Sequence, residues 1–279
     1  MLIVFNMMLF AYKNNLIMKI KKLTPFLLFA FFFINISSNG QNKITNNYIV
    51  TEEDKLALEN VIVEKYYVAD STDYADTTGG ILPKGSITYR IYIDMKPGYR
   101  LQAVFGTKNH ELFIKTTSVF FNNTYCHAMT GFNIHPKEIN DNTVALDSYI
   151  TMGAASRLHT GILKSDDKDG SILKRASLSK QDGLTVGITP TFKSFKLDLN
   201  FFKDKKDASI FYTNDGAWAA LEGVVGPTDD NRVLIAQLTT NGKLSFELNI
   251  QIGTPTKGTV QFVARNAKNS EIQFNGLTY

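Results

Sequence analysis

Residues 86–106 read SITYRIYIDMKPGYRLQAVFG, and this stretch decides the fold class. Ile87, Tyr89, Ile91, Ile93 and Met95 fall at every second position, with Thr88, Arg90, Tyr92 and Asp94 between them. Successive side chains of a strand point to opposite faces, so this spacing predicts a strand with one face in a core. Pro97-Gly98 then turns the chain, and Tyr99, Leu101, Ala103 and Phe105 alternate with Arg100, Gln102 and Val104. Together the two runs predict an antiparallel hairpin closed at Pro-Gly.

The same period recurs in both directions. Upstream, VIVEKYYVA at 61–69 is rich in branched and aromatic residues, as strands are. Downstream, strand signals cover 111–116, 119–121, 195–201, 209–213, 259–264 and 271–274. Val144, Leu146, Ile150 and Met152 alternate with Ala145, Asp147, Tyr149 and Thr151, setting Asp147 on the less apolar face. Runs 232–240 and 243–252 flank Asn241-Gly242, the strongest short hairpin signal. In the second run Leu244, Phe246, Leu248, Ile250 and Ile252 share one face, and Lys243, Ser245, Glu247, Asn249 and Gln251 the other. Helical periodicity is confined to a turn or two that Thr51 would cap. The expected fold is all-β, an antiparallel β-sandwich or jelly roll.

Domain organisation starts with a targeting signal. Lys19, Lys21 and Lys22 follow Met18 and precede PFLLFAFFFINI at 25–36, after which Ser37, Ser38, Asn39 and Gly40 lead to Gln41. A basic head, a short apolar run and a small-residue exit predict a secretory signal peptide cut near residue 40. Met18 heads a complete signal, so it is a second candidate for the true start. Residues 41–60 read as a polar lead, and 61–279 as a single β-sandwich domain with an irregular insertion near 154–185. About 240 residues remain after cleavage, enough for one large core.

Cleavage also changes the charge. Removing Lys13, Lys19, Lys21 and Lys22 from the 30 basic residues leaves 26 against 26 acidic ones. A neutral chain has no electrostatic footprint for nucleic acid, and no membrane anchor is expected once the signal is gone. Cys126 is the only cysteine, so no internal disulfide can form.

Two loops carry carboxylates that could meet calcium, which takes several oxygen ligands from flexible backbone. Asp70, Asp73 and Asp76 lie in DSTDYADTTGGILPKG at 70–85. Asp167 and Asp169 lie in SDDKDG at 165–170, which resembles half of a calcium loop but has Ala176 where the bidentate Glu belongs. No other cofactor is expected. His110, His127, His135 and His159 show no metal-ligand spacing.

The runs ITYRIYIDM, PGYRLQAVFG, FFNN at 120–123, LDSYITMG at 146–153, NDGAW at 214–218 and RVLIAQLT at 232–239 resemble a group of uncharacterised secreted bacterial β-rich proteins. Such proteins often continue into a C-terminal sorting or anchoring domain, whereas this sequence ends at Tyr279. The resemblance implies a β-rich fold exported to the periplasm or exterior of a bacterium with an outer membrane. It implies no catalytic residues.

Three function classes then compete. The leading expectation is a non-enzymatic binding or structural module of the cell exterior, its partner a glycan or a surface protein. Trp218, Tyr92, Tyr149 and Asp147 are its candidate binding residues, because rings stack on sugar faces and carboxylates fix hydroxyls. The alternative is a secreted glycan-active enzyme with a carboxylate pair drawn from Asp147, Asp215, Asp229 and Asp230. A surface-layer scaffold would need only the sandwich and its edges.

Overall fold

The computed structural model describes residues 48–279 apart from 169–170, 188–190 and 204. The expected signal peptide and the start at Met18 lie outside the described residues. Tyr48–Tyr279 forms one compact unit. Strands dominate it, with two short helices, α1 (Ser71–Ala75) and α2 (Asn200–Lys203). The first half holds β1 (Leu58–Val68), β2 (Ile87–Met95), β3 (Arg100–Gly106), β4 (Leu112–Thr116), β5 (Tyr149–Ile150), β6 (Ala154–Ser156) and β7 (His159–Gly161). Then follow β8 (Leu184–Val186), β9 (Phe192–Phe195), β10 (Ile210–Thr213), β11 (Gly216–Val224) and β12 (Arg232–Thr240). The last are β13 (Leu244–Glu247), β14 (Asn249–Gly253), β15 (Thr259–Val263) and β16 (Ile272–Gln273). The fold is all-β and sandwich-like. Among the described residues no helix is long and apolar enough to cross a membrane.

Four sheets result, ordered β1-β2-β12-β5, β16-β15-β14-β3-β11-β9, β10-β4-β13 and β6-β7-β8. The first is central. One of its faces contributes Ile91, Ile93, Val233 and Ile235 to a core shared with Leu101, Trp218, Ile250 and Phe262 of the six-stranded sheet and Ile114, Phe211 and Phe246 of the three-stranded one. Its other face packs Tyr66, Tyr92 and Leu234 against Phe121, Ile139, Leu146, Ala155 and Leu184. Parts of 121–184 thus lie over this face as a second layer, although β5 within that span is a strand of the central sheet, and β2 and β12 are buried on both sides. Alternation lets β12 serve both cores, and a bulge between Leu234 and Ala236 shifts that alternation by one residue. Beyond it Ala236 and Leu238 join Val233 and Ile235 in the apolar core, while Gln237 and Thr239 turn to the other side.

Neither expected hairpin forms. β2 pairs with β1 and β12, whereas β3 pairs with β11 and β14, so Pro97-Gly98 carries the chain from one sheet to the opposite one. The turn itself is as expected: Gly98 takes φ +87° and the Tyr99 N–H bonds to Lys96 O at 3.3 Å. Asn241-Gly242 likewise joins β12 to β13 in another sheet, and neither residue has a positive φ. Glycine is required there because a Cβ would lie 2.4 Å from Thr116 Oγ1 and 2.6 Å from Ser118 N. The run 244–252 keeps its inward face while passing from the three-stranded sheet into the six-stranded one, with Leu244, Phe246, Leu248, Ile250 and Ile252 all in the core.

Two segments differ from expectation for local reasons. The described part of the polar lead, residues 48–60, is tied to the fold, because buried Asp54 accepts hydrogen bonds from Tyr48, Thr51 and Tyr99. Burial raises the Asp54 carboxyl, but these bonds overcome it and hold the group below its ordinary value. In the 70–85 loop, Asp70 and Asp73 form a reciprocal capping box that starts α1. The 195–201 run holds only the end of β9, after which the chain turns into α2.

Candidate binding face

The four residues expected to bind are inside the protein. Trp218, Tyr92, Tyr149 and Asp147 are 0%, 0%, 1% and 0% exposed. Trp218 donates from Nε1 to Thr151 O at 3.1 Å, and its ring meets that of Phe211 at 6.3 Å. The Tyr92 hydroxyl donates to Ile162 O at 2.7 Å, and that of Tyr149 to Ala155 O at 3.5 Å. Asp147 accepts the N–H groups of Asn123 and Ser148, with the Cys126 thiol 3.5 Å from its other oxygen. Burial pushes that thiol far above its ordinary range. A ring that stacks on a sugar must show its face to solvent; instead Trp218 fills the apolar core, Asp147 holds backbone within the second layer, and Tyr92 and Tyr149 sit at the junction of that layer with the central sheet.

That junction centres on Arg90, 2% exposed. Its guanidinium lies 3.5 Å from the centre of the Tyr66 ring, and it donates to Gln237 Oε1 and Gly183 O at 2.8 Å each. Burial pushes the Tyr66 phenol up to about 12, with Arg90 pulling the other way. Tyr66 in turn donates to Asp182 O. Burial also raises the carboxyls of Glu64 and Asp182.

The calcium candidates carry structural hydrogen bonds. Asp70 caps α1, Asp76 accepts Thr78 N, and buried Asp73 accepts the Tyr67 hydroxyl and pairs with Arg175. Asp167 accepts the N–H groups of Asp182 and Gly183. Asp169 lies outside the described residues. Among the described residues no three His, Cys, Asp or Glu side chains gather as a metal site. Of the carboxylates named for glycoside chemistry, Asp147 is enclosed, Asp215 pairs with Lys196, and Asp230 pairs with Arg232. A shallow hollow of about 220 Å³ lies among Ile162, Asp166, Lys168, Thr185, Pro227 and Thr228. It is smaller than the usual ligand pocket, and its Asp166 is bound to Arg232 at 2.9 Å.

An exposed ring, Tyr212, and a half-buried one, Phe113, occur elsewhere, on the outer face of the β10-β4-β13 sheet. In β4 Leu112 and Ile114 enter the core, so Phe113 and Lys115 project outward. In β10 Phe211 goes inward, leaving Ile210 58% and Tyr212 48% exposed. Tyr212 stands opposite Phe113, and Ile210 opposite Lys115. Directly opposed residues of a pair sit about 4.5 to 5.5 Å apart at Cβ, so the two side chains leave the sheet on the same face. On the other flank Glu247 faces Phe113 and Ser245 faces Lys115. Glu111 accepts the Tyr212 hydroxyl at 2.6 Å, which raises that phenol, and Glu247 holds Arg265 Nε at 2.7 Å. Lys115 Nζ lies 4.8 Å from the Phe113 ring centre. The six-stranded sheet offers a different surface, where Gln102, Gln251, Gln261 and Thr259 bond chiefly to one another.

Sequence reasoning missed Phe113 and Tyr212, although the signal was present. Both 112–116 and 210–213 carry large apolar residues on two faces, more than one core face needs.

Comparisons with protein families, curated proteins and solved structures find no match. The resemblance to secreted bacterial β-rich proteins therefore rests on its quoted sequence runs alone.

Proposed function

We propose that this chain is a non-enzymatic binding module of the cell exterior, holding a glycan on the outer face of the β10-β4-β13 sheet. The observation that carries this reading is the pair of outward rings, Tyr212 and Phe113, opposed across two strands and rimmed by Glu111, Lys115, Glu247 and Arg265. Rings offer an apolar surface to the C–H face of a pyranose, and the polar rim meets its hydroxyls. Stacking of this kind suits a flat sheet face, because it needs no enclosing cavity. Export follows from the basic, apolar and small-residue order of residues 19–40.

A glycan array probed with the purified full chain and with Tyr212→Ala tests the reading. Binding that the substitution removes, at an unchanged melting temperature, is expected. An array without hits, or hits unaffected by Tyr212→Ala, would defeat it. N-terminal sequencing of the exported product should begin near Gln41.

A further inference from the structure

The charges on this face are not equivalent. Both neighbouring carboxylates are engaged, Glu111 with the Tyr212 phenol and Glu247 with Arg265. Lys115 projects from the middle of the same face between Ile210 and Ser245, neither of which carries charge. Its ammonium rests near the Phe113 ring rather than on a carboxylate. A cation held over a ring at an exposed site is only weakly bound, so the ammonium leaves the ring readily for a better partner.

We infer that the glycan held here is acidic, a saccharide containing uronic acid. The inference rests on the glycan-binding reading of this face. Pyranose faces stack on Tyr212 and Phe113, and the sugar carboxylate meets Lys115 Nζ. Arg265 offsets the Glu247 charge, whereas Glu111 keeps its own because the phenol bonded to it is neutral, so the sugar carboxylate is expected at the Lys115 end of the face and not beside Tyr212. A single exposed ion pair is worth at most about 1 kcal/mol, so the expected selectivity is about three- to fivefold per contact. Salt should erode it, because charges are screened over about 8 Å at physiological ionic strength.

The test compares oligogalacturonate with its methyl ester, the same sugar without the charge. Calorimetric titration would use the full chain, Lys115→Gln and Tyr212→Ala. The wild type should bind the acid about three- to fivefold more tightly than the ester at low salt. Lys115→Gln should bind acid and ester with equal affinity, and Tyr212→Ala should lose both ligands. Equal affinity for acid and ester, or a preference that survives Lys115→Gln, overturns the acidic ligand while leaving glycan binding intact. Failure to bind either ligand, with other hits on the array, also overturns it. An array with no hits removes both readings.

Discussion

The two faces of the central sheet use the same strands for different physics. On the side toward the six-stranded sheet, Ile91, Ile93, Val233 and Ile235 join the apolar core. On the other side the same strands present Arg90, Tyr92, Gln237 and Thr239. Apolar burial has no direction and tolerates exchange of shape for shape. A buried guanidinium or phenol needs each partner in place, and the loss of one leaves another group stranded. The first face therefore holds the sandwich together, while the second fixes where the covering layer of Phe121, Ile139, Leu146, Ala155 and Leu184 lies upon it.

Four measurements would break or sharpen that contrast. The largest effect is expected on the apolar side, where Phe246→Asp buries an unpaired charge at a fully enclosed site and should abolish cooperative thermal unfolding. Glu247→Lys, one position on, breaks only the surface contact with Arg265 and should cost about 0.2 to 1 kcal/mol. Similar melting curves for the two would show that the inward face is misassigned.

Next comes the polar side. Arg90→Met keeps the volume but strands Gln237 Oε1, Gly183 O and the neighbouring acids, and denaturant titration should show a loss of about 3 to 5 kcal/mol. If it costs no more than Ile93→Val, about 0.5 to 1.5 kcal/mol, the distinction between the faces fails. Tyr92→Phe removes one hydroxyl and leaves Ile162 O without its donor, an expected loss of about 1 to 3 kcal/mol.

The smallest effect depends on pH. Burial raises the Glu64 carboxyl against the pull of Arg90 and of the Lys164 N–H, and its Oε2 is buried without a hydrogen-bond partner. A raised carboxyl favours the neutral form in the folded state. Its contribution is therefore full below the unfolded value of about 4.3 and is lost as pH rises through the folded one. Glu64→Gln is neutral throughout, so its stability relative to wild type should climb between pH 4 and pH 8. A constant or falling difference would mean that Arg90 stabilises the Glu64 carboxylate more than burial destabilises it.

The apolar face was readable because alternation reports it directly. Ile87 to Met95 and Leu244 to Ile252 name their inward residues without help from the rest of the chain. The polar face was not readable, because Tyr92, Tyr149 and Asp147 find their partners at Ile162, Ala155 and Asn123, and nothing in local sequence announces such pairings. Enclosed rings such as Tyr92 and Tyr149 therefore read as candidate binding rings, because local sequence does not distinguish a ring that faces a second layer from one that faces solvent. The hairpin signals misled for another reason. Pro-Gly and Asn-Gly report that the chain turns, but the choice between pairing back and crossing over belongs to the tertiary fold.

Those two crossings have a kinetic consequence. Strands adjacent in sequence at Pro97-Gly98 and Asn241-Gly242 end in opposite sheets, so neither turn can zip up a ladder by itself. Pairings such as β2 with β12 and β3 with β11 must instead be found across more than a hundred residues of chain. Refolding should be slow, on the order of milliseconds to seconds, as it is for other nonlocal β topologies. A fragment ending between β3 and β11 would present β3 as an unpaired edge, open to association with a second chain.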